Sequence, residues 1–211
     1  MNPRNIGLLV VPLFTLAVMA CSPQDSAPTT HPAPGAAAPQ DAVPTPSAPA
    51  ASGTGGVAGL LWAVPGVWET QAQRPMRVAT YRTPFAAGDS DPGEVAVFYF
   101  GPQEGGTVDA NVARWFNQFD QEDGRPTGEV AERETIEVSG IRVTVVRTSG
   151  TYNAAAGPMA PRADLRPGYR LIGAIAEGPE GAVFFKFTGP ARTVLEQEAH
   201  FFALVGSLQR R

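Results

Sequence analysis

An α+β fold is predicted for residues 57–211: an antiparallel β-sheet of about six strands carrying two main helices, in the order ββαββββα. Three observations predict it. Short alternating or wholly apolar segments are separated by Gly- and Pro-containing turns. Four of those segments flank turns short enough to make hairpins. Two further segments repeat their apolar residues at helical spacing. Helices and sheet must each bury an apolar face, and strands paired as hairpins favour an antiparallel sheet with the helices laid upon it.

The elements follow in order. Residues 76–82 alternate and stop before Thr83 and Pro84, which makes them a strand. Asp, Ser, Pro and Gly supply turn chemistry at 89–93. Residues 94–100 (EVAVFYF) are apolar on both sides, as a strand covered on both faces would be. The Gly-rich stretch 101–106 breaks the chain. Val108, Val112, Trp115 and Phe119 then recur at i, i+4, i+7 and i+11, one face of a helix, and Thr107 or Asp109 can cap its first turn. A polar run, 120–128, ends it. Residues 134–138 and 141–148 flank the two-residue turn Ser139-Gly140. Residues 150–168 form a long loop rich in Ala, Gly and Pro, after which 169–177 and 182–188 make a second hairpin. The closing helix, 190–208, opens on Pro190, a residue tolerated in a first turn, and lines one side with Val194, Phe201, Val205 and Leu208.

This element order, and a closing helix (VLEQEAHFFALVGSL) rich in aromatics near its end, resembles the PsbP-like superfamily over most of residues 60–208. The resemblance implies a module that binds partners. It brings no catalytic motif. Residues 105–119 are also similar to a segment of uncharacterised secreted bacterial proteins.

Before the domain lie two segments of other character. Residues 6–20 (IGLLVVPLFTLAVMA) are uncharged and follow Arg4, a run of signal-peptide length and short for a membrane span. Val18, Met19, Ala20 and Cys21 resemble the lipobox of bacterial lipoproteins, which implies a signal peptide over 1–20, lipidation of Cys21 and a cell-envelope location. Stable anchoring then follows from several acyl chains on one residue. Residues 21–56 hold the lipidated Cys and a Pro/Ala-rich tether whose one branched aliphatic, Val43, buries too little to offset the entropy of ordering. The expected domains are therefore 1–20, 21–56 and 57–211.

Composition excludes several classes of function. The 211-residue chain carries a net charge of −4 with no basic block, which argues against nucleic acid as a partner. Its single Cys forbids an internal disulfide or a thiolate metal centre. Fifteen of the 16 basic residues are Arg, and Lys186 is the sole lysine. The domain's one histidine, His200, lies mid-helix beside Phe201 without a nucleophile motif and reads as a surface residue able to pair with Glu196. Asp120, Glu122 and Asp123 lack the spacing of a calcium loop, and residues 101–106 lack the Lys and Ser/Thr of a phosphate loop. No catalytic residue, metal site or cofactor is expected.

The long loop is the most suggestive region, because unstructured connections of this length inside a domain are often functional. It nominates Tyr152, Asn153, Arg162 and Arg166 as a binding loop. The reading that results is a membrane-anchored envelope lipoprotein, a non-enzymatic binding or accessory module for a protein or small ligand, with the membrane engaged through Cys21. The alternatives are a hydrolase using loop carboxylates and a purely structural envelope component. Two carboxylates converging in an apolar cleft would favour the enzyme; an aromatic or Arg-lined groove would favour binding.

Overall fold

A computed structural model describes residues 51–154 and 164–211. The signal peptide, Cys21, most of the tether, and Arg162 of the expected binding loop lie outside the described residues.

Strands β1 (Ala51–Val57), β2 (Leu60–Pro65), β3 (Glu69–Thr70), β4 (Ala79–Arg82) and β5 (Glu94–Phe98) come first. Helix α1 (Val108–Phe116), strand β6 (Phe119–Asp120) and the single helical turn α2 (Thr127–Val130) follow. Then come β7 (Glu132–Val138), β8 (Ile141–Asn153), β9 (Leu165–Gly178), β10 (Gly181–Pro190), helix α3 (Ala191–Gly206) and β11 (Gln209–Arg210). The main sheet has eight antiparallel strands in the order β3-β4-β5-β10-β9-β8-β6, with β7 also paired to β8; a second sheet has the order β1-β2-β11.

The molecule is thus mostly β, with eight strands and three strands in two sheets and three helices among the described residues, not about six strands and two helices. Most of the missing elements carry little sequence signal; β2 is the exception, with Leu60, Trp62 and Val64 alternating inward. Strands β3, β6 and β11 have two residues each, below any detectable period. Strand β1 reads as tether by composition, yet it pairs with β2 from Ala51↔Pro65 to Val57↔Leu60. The ladder supplies what its small side chains cannot, since backbone hydrogen bonds do not depend on side-chain size. At Gly55 a Cβ would meet the Trp62 indole at 2.2 Å, so the glycine admits the ring.

The long loop also shrinks. Strands β8 and β9 continue their pairing through Tyr152↔Arg166 and Asn153↔Leu165, past a register shift after Gly150. Pro167 and Gly168 fall within that irregularity, where a residue without an N–H does no harm to the ladder. At the first helix, Thr107 is the cap, its side chain accepting from the Ala110 N–H. That helix ends at Phe116, and Phe119 belongs to β6.

One face of the main sheet is closed. Val95, Val97, Phe185, Phe187, Ile172 and Val145 pack there against Val194, Phe201 and Leu204 of α3 and Leu60 and Trp62 of β2. The opposite face carries a smaller core in which α1 sets Val112 and Trp115 on Val146, Leu171, Ile175 and Phe184. Among the described residues no helix is long and apolar enough to cross a membrane.

Candidate functional site

Strand register builds the site on that second face. Cross-strand partners share a face, so Glu94 (β5), Thr188 (β10) and Leu171 (β9) form one row and Ala96, Lys186 and Gly173 the next. Phe98, Phe184 and Ile175 form a third, in line with α1. Helix α1 occupies the Gly173 position: a Cβ there would lie 2.2 Å from the Trp115 ring. The end of the face beyond it stays open.

That open end is a cleft of about 560 Å³, within the size range of small-molecule sites. Its lining is Arg74, Arg77, Arg82 and Arg166, the carboxylates of Asp91, Glu94 and Asp164, and the rings of Tyr152 and Tyr169. Tyr152 and Tyr169 stack with centroids 5.9 Å apart, and Phe119 continues the aromatic wall 5.0 Å from Tyr152.

Two of these acidic groups are held by arginine, while Asp91 accepts through one oxygen from the Ser90 and Tyr169 hydroxyls, at 3.2 and 3.5 Å. Glu94 accepts from Arg74 at 2.9 Å through one oxygen and from Arg77 at 2.8 Å through the other. Asp164 accepts from Arg166 through both oxygens, at 3.2 and 2.8 Å, and this bonding holds its carboxyl below the usual carboxylate range. Arg166 also lies 5.7 Å from the Tyr169 ring centroid.

Lys186 stands one hydrogen bond behind the lining. Its ammonium donates to Gln118 Oε1 at 2.5 Å and to the Tyr152 hydroxyl at 3.1 Å. Burial, aided by the charge of Arg77 and opposed by that of Glu94, pulls its pKa down to about 7. Burial likewise raises the Tyr152 phenol above its ordinary value.

Of the residues nominated by the sequence, Tyr152 and Arg166 are cross-strand partners and both line the cleft. Asn153 directs its backbone N–H to Gln118 O at 2.8 Å, and Arg162 lies outside the described residues. Sequence reasoning missed Arg74, Arg77, Arg82, Glu94 and Lys186. One signal was available: a lone lysine inside VFFKF, where strand alternation puts it on the face opposite Phe185 and Phe187.

The other sequence candidates take structural places. Asn111 Nδ2 donates to Gly105 O at 2.7 Å and ties the 101–106 turn to α1. Asp123 is bound by Arg125, which lowers its carboxyl pKa. Glu196 pairs with Arg192 at 3.7 Å, and His200 Nδ1 is buried on α3. Among the described residues no three His, Cys, Asp or Glu side chains gather as metal ligands.

No protein-family model matches the chain, and no curated protein matches it significantly. Solved structures do. The solution structure of cyanobacterial PsbP (CyanoP) from Synechocystis is similar over 72% of this chain and 87% of its own, with 11% identity and a TM-score of 0.41. A crystal structure from Bacteroides thetaiotaomicron is similar over 72% of this chain, with 9% identity and a TM-score of 0.38. This chain spans 45% of the length of the Bacteroides protein.

Proposed function

We propose that this chain is a binding module of the bacterial cell envelope, anchored through lipidated Cys21, whose ligand seats in the cleft on the open end of the main sheet. The cleft carries the proposal: a recess of about 560 Å³ lined by four guanidinium groups and two stacked tyrosines. Rigid aromatic walls and forked donors are the means by which binding sites gain affinity and orientation. Anchoring rests on the lipobox residues 18–21 and on the Pro/Ala-rich stretch after them.

A carboxylate-based hydrolase fits the same recess less well. Its general acid would be a carboxyl with a raised pKa. Instead Glu94 and Asp164 have both oxygens bound by arginine, Asp164 is shifted down, and among the described residues of the lining Asp91 stands alone beside them with one oxygen on the Ser90 and Tyr169 hydroxyls.

Protein-observed NMR of the full chain with a library of small polar and aromatic compounds tests the reading. Compounds that bind should shift the resonances of Arg77, Glu94, Tyr152 and Arg166 together. Thr188→Trp, which fills the recess, should abolish those shifts while leaving the fold intact. Shifts gathered on another surface would overturn it.

A further inference from the structure

The cleft's balance of donors and acceptors narrows its ligand to one chemical class. Each guanidinium presents five N–H donors and a carboxylate is acceptor-only. The oxygens of Glu94 and Asp164 are already occupied by arginine, whereas Arg74 commits a single nitrogen, to Glu94. Arg82 adds an exposed guanidinium to the lining. Asp91, the third carboxylate of the lining, accepts through one oxygen from the Ser90 and Tyr169 hydroxyls, and three carboxylates against four guanidiniums still leave the recess with spare donors and a net positive charge. Behind it, the Lys186 ammonium is held by two neutral oxygens, those of Gln118 and Tyr152, and forms no ion pair among the described residues. A partly buried cation left in this way gains from an anion placed nearby.

We infer that the cleft binds a small molecule through a carboxylate or phosphate group, held by Arg74, Arg77 and Arg82 against the Tyr152–Tyr169 wall, with Lys186 supplying balancing charge from behind. The inference rests on the reading of the cleft as the binding face and adds the class of ligand. It also couples binding to protons. The groups that act on Lys186 are Arg77, Glu94 and Tyr152. An anion added to that set raises the lysine's pKa from about 7, so binding takes up a proton and weakens as pH rises above neutrality.

Benzoate and phenyl phosphate serve as anionic probes, with benzamide as the neutral and benzylamine as the cationic counterpart. Each is titrated into the full chain by calorimetry and NMR at pH 6.0 and pH 8.5. Both anions should shift Arg77, Tyr152 and Arg166, and benzoate, whose charge is constant over this range, should bind up to roughly thirtyfold more weakly at pH 8.5, the most that one coupled proton loses that far above the lysine's pKa of about 7. Lys186→Met should weaken the anions at pH 6.0 and flatten their pH dependence. Lys186→Arg, which keeps the charge at both values, should retain binding and lose the dependence. Benzamide or benzylamine binding in the cleft as tightly as benzoate would overturn the ligand class and leave the cleft a binding site. If none of the four probes moved a cleft resonance at millimolar concentration, the ligand class and the binding reading would both fall.

Discussion

Trp115 and Gly173 show how one residue's absence of a side chain fixes another's position. The Trp ring is only 7% exposed and rests where a Cβ at 173 would stand. Trp115→Ala should cost about 3–5 kcal/mol through lost burial and a residual cavity, measured by denaturant titration. Gly173→Ala should cost about 1–3 kcal/mol by overpacking. In the double variant the costs should fall short of additive, because removing the ring removes the clash. A sum of the two single effects would mean that the ring and the glycine are not in contact. The helical spacing of Val108, Val112 and Trp115 made the tryptophan's burial legible in the sequence. The glycine beneath it was not, since nothing in a single sequence says which strand passes under a helix. Lys186 offers a second test at this scale. Its ordinary value is 10.5 and its folded value about 7, so the unfolded chain holds a proton that the folded chain has lost between those limits. Stability from this group therefore rises with pH from about 7 toward 10. Lys186→Met should be at least as stable as the parent at pH 7 and should lack that rise, as thermal melts across the range would show. An unchanged slope in the variant would place the titrating group elsewhere.

At the scale of elements, legibility followed length and apolar content. The hairpins about Ser139-Gly140 and Gly178–Gly181, the two long helices and the strand at 94–98 were readable because period and turn chemistry agreed. Strand β2 was missed although Leu60, Trp62 and Val64 alternate inward, because the reading began its first strand at residue 76. Its partner β1 was hidden by small residues that contribute ladder bonds and no hydrophobic pattern. The cleft was half visible: Tyr152 and Arg166 lie in the long connection that drew notice, whereas Arg74, Arg77 and Arg82 come from a different hairpin brought alongside by the order β4-β5-β10-β9-β8. The consequence for stability is specific. A chain begun at Val57, the boundary suggested by composition, loses β1, uncovers the backbone of β2 and exposes the face of Trp62 that rests on Gly55. It should melt more than about 4 °C below a chain begun at Ala51, the shift expected for a loss above roughly 1 kcal/mol in a domain of this size. Equal melting temperatures would mean that β1 contributes nothing to the fold.

For the whole molecule, the described residues form one body whose cleft lies far along the chain from the residue expected to hold it. Residues 22–50, at about 3.1 Å each, give a reach of about 90 Å between Cys21 and the first described strand. Anchoring at Cys21 and ligand binding should be separable, because every lining residue of the cleft lies at position 71 or beyond. Cys21→Ala tests the arrangement in cells. Metabolic labelling with a fatty-acid analogue should mark the parent and leave the variant unlabelled, with the parent in the membrane fraction and the variant released from it. Several acyl chains on Cys21 would make the parent's anchoring stable, since each buried methylene contributes about 0.8 kcal/mol. The released variant, once purified, should still melt as the parent does and bind benzoate in the cleft with the same affinity and pH dependence. Undiminished label in the variant would remove Cys21 as the anchor. Label lost together with the fold or the binding would show instead that the N-terminal segment supports the domain, and the separation of tether from cleft would fail.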